Sequence, residues 1–86
     1  MRIELSPEVM FQDLGSESIL LDMNGSSYYG LDAVGTRFWE LLAGGNDLDG
    51  AVAHLLETFD VDEATLRGDL DRLVAELREA GLVKVL

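Results

Sequence analysis

At the Leu31–Asp32 step the spacing of apolar residues changes, and that change limits the possible folds more than any other feature. Before it, Ile19, Leu21 and Met23 alternate with Leu20, Asp22 and Asn24, the period of a half-buried strand. Val9 and Phe11 predict an earlier strand, set off by the turn-like Asp13-Leu14-Gly15-Ser16. Asn24-Gly25 is a strong hairpin signal, because both residues tolerate the positive φ of a type I′ turn, and it predicts a third strand from Ser26 to Leu31. After the step the period is helical. Asp32 suits an N-cap, Val34, Phe38, Leu41 and Leu42 share one face, and Gly44-Gly45 end the helix. Asp47 caps a second helix striped by Leu48, Val52, Leu55, Leu56 and Phe59. Asp60 and Glu63 have capping-box spacing before a third, which carries Leu66, Leu70, Leu73, Val74 and Leu77 and ends at Gly81. The expected class is α+β: a three-stranded antiparallel meander within about residues 8–31, then helices over about 33–43, 48–59 and 62–80. Leu82 to Leu86 is expected as a short strand or an extended cap on the core.

Eighty-six residues suffice for one domain with one small core. There is no cysteine, which excludes disulfides, thiolate metal sites and a thiol nucleophile. No apolar run approaches the roughly 18 residues needed to span a bilayer, and the cytoplasm is the expected compartment. The net charge is −11, from 17 acidic against 6 basic residues. Binding to phosphate backbones needs Lys and Arg, so a nucleic-acid partner is disfavoured and a basic partner is attracted.

Catalytic chemistry is thin. His54 is the only histidine and nothing completes a zinc site around it. The serines lack the strand-turn-helix setting of a nucleophile, and neither a phosphate-binding loop nor a dinucleotide fingerprint occurs. Asp60, Asp62 and Asp71 fail as a calcium loop, because Thr65 stands where glycine is needed and Asp71 where glutamate is. An acyl-carrier reading fails for want of an Asp-Ser-Leu motif. No catalytic residue, metal or cofactor is expected, and the chain is expected not to be an enzyme.

What remains is a binding surface. Ser26-Ser27-Tyr28-Tyr29-Gly30 forms an outer strand without the Lys or Pro that usually guard a sheet edge. Its tyrosines point to opposite faces, and Gly30 leaves room for another backbone. Beside the leucine-rich third helix, such an edge suits strand addition: main-chain hydrogen bonds give affinity, and apolar pockets read alternate side chains. The helix's N-terminal half would wall the groove, rimmed by Arg67, Asp69 and Asp71, whereas Phe38 and Trp39 are expected in the core.

The run YYGLDAVGTRFWELLAGG and the closing LVAELREAGLV resemble the PqqD-like family, the recognition elements of ribosomally made, modified peptide pathways. Its helix pattern is carried by Leu31, Asp32, Gly35, Phe38, Trp39 and Leu41. The closing pattern is carried by Leu73, Gly81 and Leu82, with Leu77 one position late. The resemblance covers about residues 5–86 and implies a winged-helix-like fold that binds a precursor's leader segment as an added strand, in a cleft closed by the third helix. Carried over, Ser26, Ser27, Tyr28, Tyr29 and Gly30 would pair with the leader, and Leu66, Asp69, Leu70 and Leu73 would line the cleft. A chain consisting of this domain alone resembles the separate recognition subunit of a lasso-peptide pathway. It would pass a basic precursor to a leader peptidase and an ATP-dependent cyclase. The alternative within the family is a peptide chaperone for pyrroloquinoline quinone formation, with a radical enzyme as partner. The rival classes are a winged-helix DNA-binding regulator, which the acidic third helix opposes, and a dimerisation module using the same open edge.

Overall fold

The computed structural model of the chain describes residues 2–25 and 27–86. Eight elements follow in order: β1 (Ile3–Leu5), β2 (Val9–Asp13), β3 (Ser18–Asp22), β4 (Tyr28–Leu31), α1 (Ala33–Ala43), α2 (Leu48–Thr58), α3 (Glu63–Glu79) and β5 (Val83–Val85). Strands β2, β3 and β4 form the expected antiparallel meander, and the three helices follow it in the winged-helix-like α+β order. A second, two-stranded sheet joins the chain's ends, with Ile3 opposite Val85 and Leu5 opposite Val83. The tail is therefore a strand, and its partner β1 was not foreseen. Three residues with a single alternation carry too little period to register as a strand on their own.

The meander's phase is opposite to the one read from Ile19, Leu21 and Met23. Leu20 is fully buried, whereas Met23 is 59% exposed. Ile19, Leu20 and Leu21 are all apolar, so the central strand allows either phase. Its neighbours decide: Leu20 lies opposite Phe11 and Tyr29, which face the helices, and a one-residue slip would turn all of them outward.

The β3–β4 connection also departs from expectation. No described non-glycine residue has a positive φ, and Gly25 has none either, so Asn24-Gly25 is not a type I′ turn. Instead Asp22 accepts from the Asn24 N–H through its side chain at 3.0 Å, and its own N–H donates to the Ser27 carbonyl at 3.1 Å. An Asx turn of this kind needs no left-handed residue.

The helices begin and end largely where their caps predict. Asp32 Oδ1 accepts from Gly35 N–H at 2.8 Å, and Asp47 Oδ1 from Gly50 N–H at 2.8 Å. Helix α3 is capped by Asp62, which accepts from Thr65 N–H at 3.1 Å, and not by Asp60. Gly45 (φ 100°) and Gly81 (φ 78°) take the left-handed conformation that lets the chain turn after α1 and α3. Between the layers lies one core of Leu20, Leu31, Phe38, Trp39, Val52, Leu55, Leu66, Leu70, Val74 and Leu77, closed by Ile3, Leu82 and Val83.

Two buried polar contacts sit inside it, and in one the Thr36 hydroxyl donates to the Leu31 carbonyl at 3.4 Å. Ser18 Oγ and Thr36 Oγ1, both buried, lie 2.8 Å apart and tie β3 to α1. Thr36→Val would leave the Ser18 hydroxyl without this partner, at a cost of about 1–3 kcal/mol. Urea unfolding should show that loss, and Ser18→Ala/Thr36→Val should recover part of it.

Candidate functional site

Strand β4 is an edge: it pairs with β3 on one side and with no described strand on the other. The Asp22–Ser27 hydrogen bond sets the pattern of the ladder. Bonded and non-bonded pairs alternate in an antiparallel ladder. Leu20–Tyr29 and Ser18–Leu31 are thus bonded pairs, and Leu21–Tyr28 and Ile19–Gly30 are not. The N–H and C=O groups of Tyr28 and Gly30 consequently point out of the sheet edge, with no hydrogen-bond partner among the described residues. Their side-chain positions lie on the face away from the helices, while Tyr29 and Leu31 face inward.

A cleft of about 460 Å³ lies between this edge and α3. Strand β4 contributes Tyr29, Gly30 and Leu31, and the start of α1 adds Asp32, Val34 and Gly35. Val61 and the α3 residues Leu66, Asp69, Leu70, Arg72, Leu73 and Glu76 form the opposite wall. Leu31, Leu66 and Leu70 are buried and make the floor, whereas Val34, Val61 and Leu73 are half-buried and offer apolar surface to an occupant. The rim is acidic: Asp32, Asp69 and Glu76 are exposed, and the one cation, Arg72, lies 3.8 Å from Asp69.

At one end the cleft is bridged. The Tyr29 hydroxyl donates to the Glu76 carboxylate, joining β4 to α3. That hydrogen bond, with partial burial and the nearby charges of Glu76 and Asp32, pushes the Tyr29 phenol up to about 12. Ionisation would remove the donor and set two negative charges together.

Of the nine residues expected at the site, six lie along the cleft: Tyr29, Gly30, Leu66, Asp69, Leu70 and Leu73. Ser27 and Tyr28 do not line it, because Ser27 is exposed in the connection and Tyr28 is on the far face, 74% exposed. Ser26 lies outside the described residues. Of the expected rim, Asp69 is present but Arg67 and Asp71 are not. Arg67 pairs with Glu63 at 2.9 Å and Asp49 at 3.1 Å, tying α3 to the start of α2. As cleft residues, sequence reasoning missed Leu31, Asp32, Val34, Gly35, Val61, Arg72 and Glu76. Glu76 was within reach, since residues 66, 69, 73 and 76 follow one another at steps of three and four along one helical face.

A wider hollow of about 790 Å³ lies between β1 and the α1–α2 connection. Two of its polar side chains are already engaged: Asn46 Nδ2 donates to the Leu41 carbonyl at 3.0 Å, and Asp47 caps α2. The cleft beside β4, with unpaired main chain over an apolar floor, is the better candidate. Among the described residues no group of His, Asp and Glu could hold a metal ion, and no helix is long and apolar enough to cross a membrane.

The family model for PqqD, described as coenzyme PQQ synthesis protein D, matches residues 17–83. The chain belongs to the PqqD family. The match runs from the start of β3 to the start of β5, and so takes in the whole cleft. This PqqD-family chain is also similar to a solved structure of TbiB1 in complex with the TbiA(β) leader peptide. The two share 30% identity over 96% of each chain, with a TM-score of 0.88. Among curated proteins nothing matches.

Because folding raises the Tyr29 pKa from 10.0 to about 12, its contribution to stability is intact below about pH 10 and is lost as the pH rises towards 12. A tyrosinate absorbance titration of the PqqD-family chain should show a component near 12 that vanishes in Tyr29→Phe and moves down in Glu76→Gln. The alkaline loss of stability should be shallower in Tyr29→Phe than in the wild type.

Proposed function

We propose that this PqqD-family chain, residues 1–86 acting as one recognition domain, binds the leader segment of a ribosomally made precursor peptide as a strand added to β4. The observation that carries this reading is the unpaired main chain of Tyr28 and Gly30 beside an apolar cleft. An added strand would bond to those two residues. Its residue opposite Tyr29 would turn into the cleft, towards Val34, Val61 and Leu73, while those opposite Tyr28 and Gly30 would face away. Ser27, Tyr28, Tyr29 and Gly30 with Leu66, Asp69, Leu70 and Leu73 remain the proposed binding set, extended by Val34, Val61 and Glu76. Ser26 belongs to the proposal on sequence grounds alone. The likeness to a leader-peptide complex of TbiB1 supports the reading.

The acidic rim and the net charge of −11 favour a basic leader. Binding without chemistry makes the chain a carrier and not an enzyme. In our reading it works in the cytoplasm, where the precursor is made, and passes it to a separate leader peptidase and an ATP-dependent cyclase of a lasso-peptide pathway. The family's description favours a second version, in which the same cleft serves pyrroloquinoline quinone formation and the receiving enzyme is a radical enzyme. A short precursor frame beside peptidase and cyclase genes distinguishes the first from the second. A DNA-binding role is opposed by Asp69, Asp71, Glu76 and Glu79 on α3 and by the lack of any Lys or Arg from Ile3 to Thr36.

Leu73→Asp is the direct test, because Leu73 is only half-buried and its loss spares the floor of the core. Titration with the cognate leader should show affinity down by at least about tenfold, the equivalent of one lost apolar contact, with the helical circular dichroism unchanged. Wild-type affinity in that variant contradicts the cleft. Raising the salt should weaken binding of a basic leader to the wild type.

A further inference from the structure

The face of the meander turned away from the helices is apolar and uncovered. Met10 lies opposite Leu21 and Leu21 opposite Tyr28, so one row crosses all three strands. Met10 is 48% exposed, Tyr28 74% and Met23, at the end of β3, 59%. With Leu14 in the β2–β3 turn, these are four of the five large apolar residues left exposed among the described residues, and the fifth, Leu86, is at the C-terminus. Scattered exposed apolar residues need no explanation, but a row of this kind marks an interaction surface. Methionines suit one, because their flexible side chains repack against an incoming surface.

Gly30 sits on the same face, opposite Ile19. Its φ is not positive, and a Cβ added there would meet nothing within 4 Å. Neither the backbone nor the chain's own packing requires glycine, although glycine weakens a strand. Its effect is to leave the surface over Ile19 open.

The charge around the row has one sign. From Ile3 to Thr36 the chain has no Lys or Arg, and of its acids Glu8, whose carbonyl accepts from the Met23 N–H, and Glu17, whose carbonyl accepts from the Leu14 N–H, continue the outer phase of the meander. Neither takes part in an ion pair among the described residues. The patch therefore has an apolar centre and an uncompensated acidic rim.

We infer that this outer face is a second docking surface, for a protein whose contact region is apolar at its centre and basic at its rim, namely the leader peptidase that receives the precursor. The partner's identity rests on the function proposed above, and the surface does not. A second copy would bring two acidic rims together, and an anionic lipid surface would be repelled in the same way. The leader itself cannot cover the face, because an added strand lies in the plane of the sheet. Its outward side chains would instead lie beside Tyr28 and continue the same face, so the docked enzyme would border the peptide it is to cut.

The test uses the full chain and the purified leader peptidase encoded beside it. Two variants avoid the β4 edge and the cleft: Met10→Asp/Met23→Asp removes the apolar centre, and Glu8→Lys/Glu17→Lys reverses the rim. All four side chains are exposed, so the fold tolerates both. Peptidase binding, read by biolayer interferometry, should weaken at least about tenfold in each variant, a loss of about 1.4 kcal/mol, and should fall with salt in the wild type. At salt high enough to screen charges beyond a Debye length, leader affinity should stay within about twofold of wild type, since neither variant touches the cleft. The inference is overturned if the peptidase binds both variants as it binds the wild type, or does not bind the wild type. It is equally overturned if sedimentation shows a wild-type dimer that Met10→Asp/Met23→Asp dissociates. Should the wild type fail to bind leader while the peptidase results hold, strand addition falls and the outer face stands.

Discussion

The burial of Leu31 and the capping of α1 by Asp32 in the next position settle where the sheet stops and the helices begin. The chain leaves β4 directly into α1, and the later strand β5 pairs with β1, so no described strand covers the outer edge of β4. The buried leucines of α3 then meet the inner face of the meander beside that edge. The cleft is what remains between an edge that cannot be paired from within and a helix held against it. Arg67 links α3 to α2 through Asp49, and Tyr29 links it to the sheet through Glu76.

Much of this was legible before the fold was known, for reasons that vary by element. The helices were legible because Asp32 and Asp47 combine a capping side chain with a helical apolar stripe, and two independent signals agreed. The meander was legible as an arrangement but not in phase, since Ile19-Leu20-Leu21 has no polar residue to show which side is inside. Strand β1 was not legible, because its existence depends on β5, about eighty residues away in sequence. In the site, the α3 leucines could be read from their spacing. Val34 and Val61 reach the cleft only through the packing of α1 and the α2–α3 connection, which no local pattern encodes. Tyr28 was placed correctly on the face opposite Tyr29, but its side chain belongs to the outer surface and only its backbone to the edge.

In the proposed function the two faces of β4 would divide the work of a small carrier. The inner side offers apolar surface over a buried floor, and the edge offers unpaired main chain. The outer side offers an exposed methionine and tyrosine row inside an acidic rim. A domain of this size has little interior to spare, so both surfaces are assembled from residues that also support the core or flank it. On the function and docking proposed, the charge would serve both, attracting a basic leader to one surface and a basic-rimmed enzyme to the other.

The central claim is that the leader joins β4 through the main chain of Tyr28 and Gly30, and amide hydrogen exchange resolved by residue tests it most directly. At saturating leader, the Tyr28 and Gly30 amides should become strongly protected, while the Tyr29 amide, already bonded to Leu20, should change little. Saturable binding that leaves the exchange of Tyr28 and Gly30 unchanged would contradict the account.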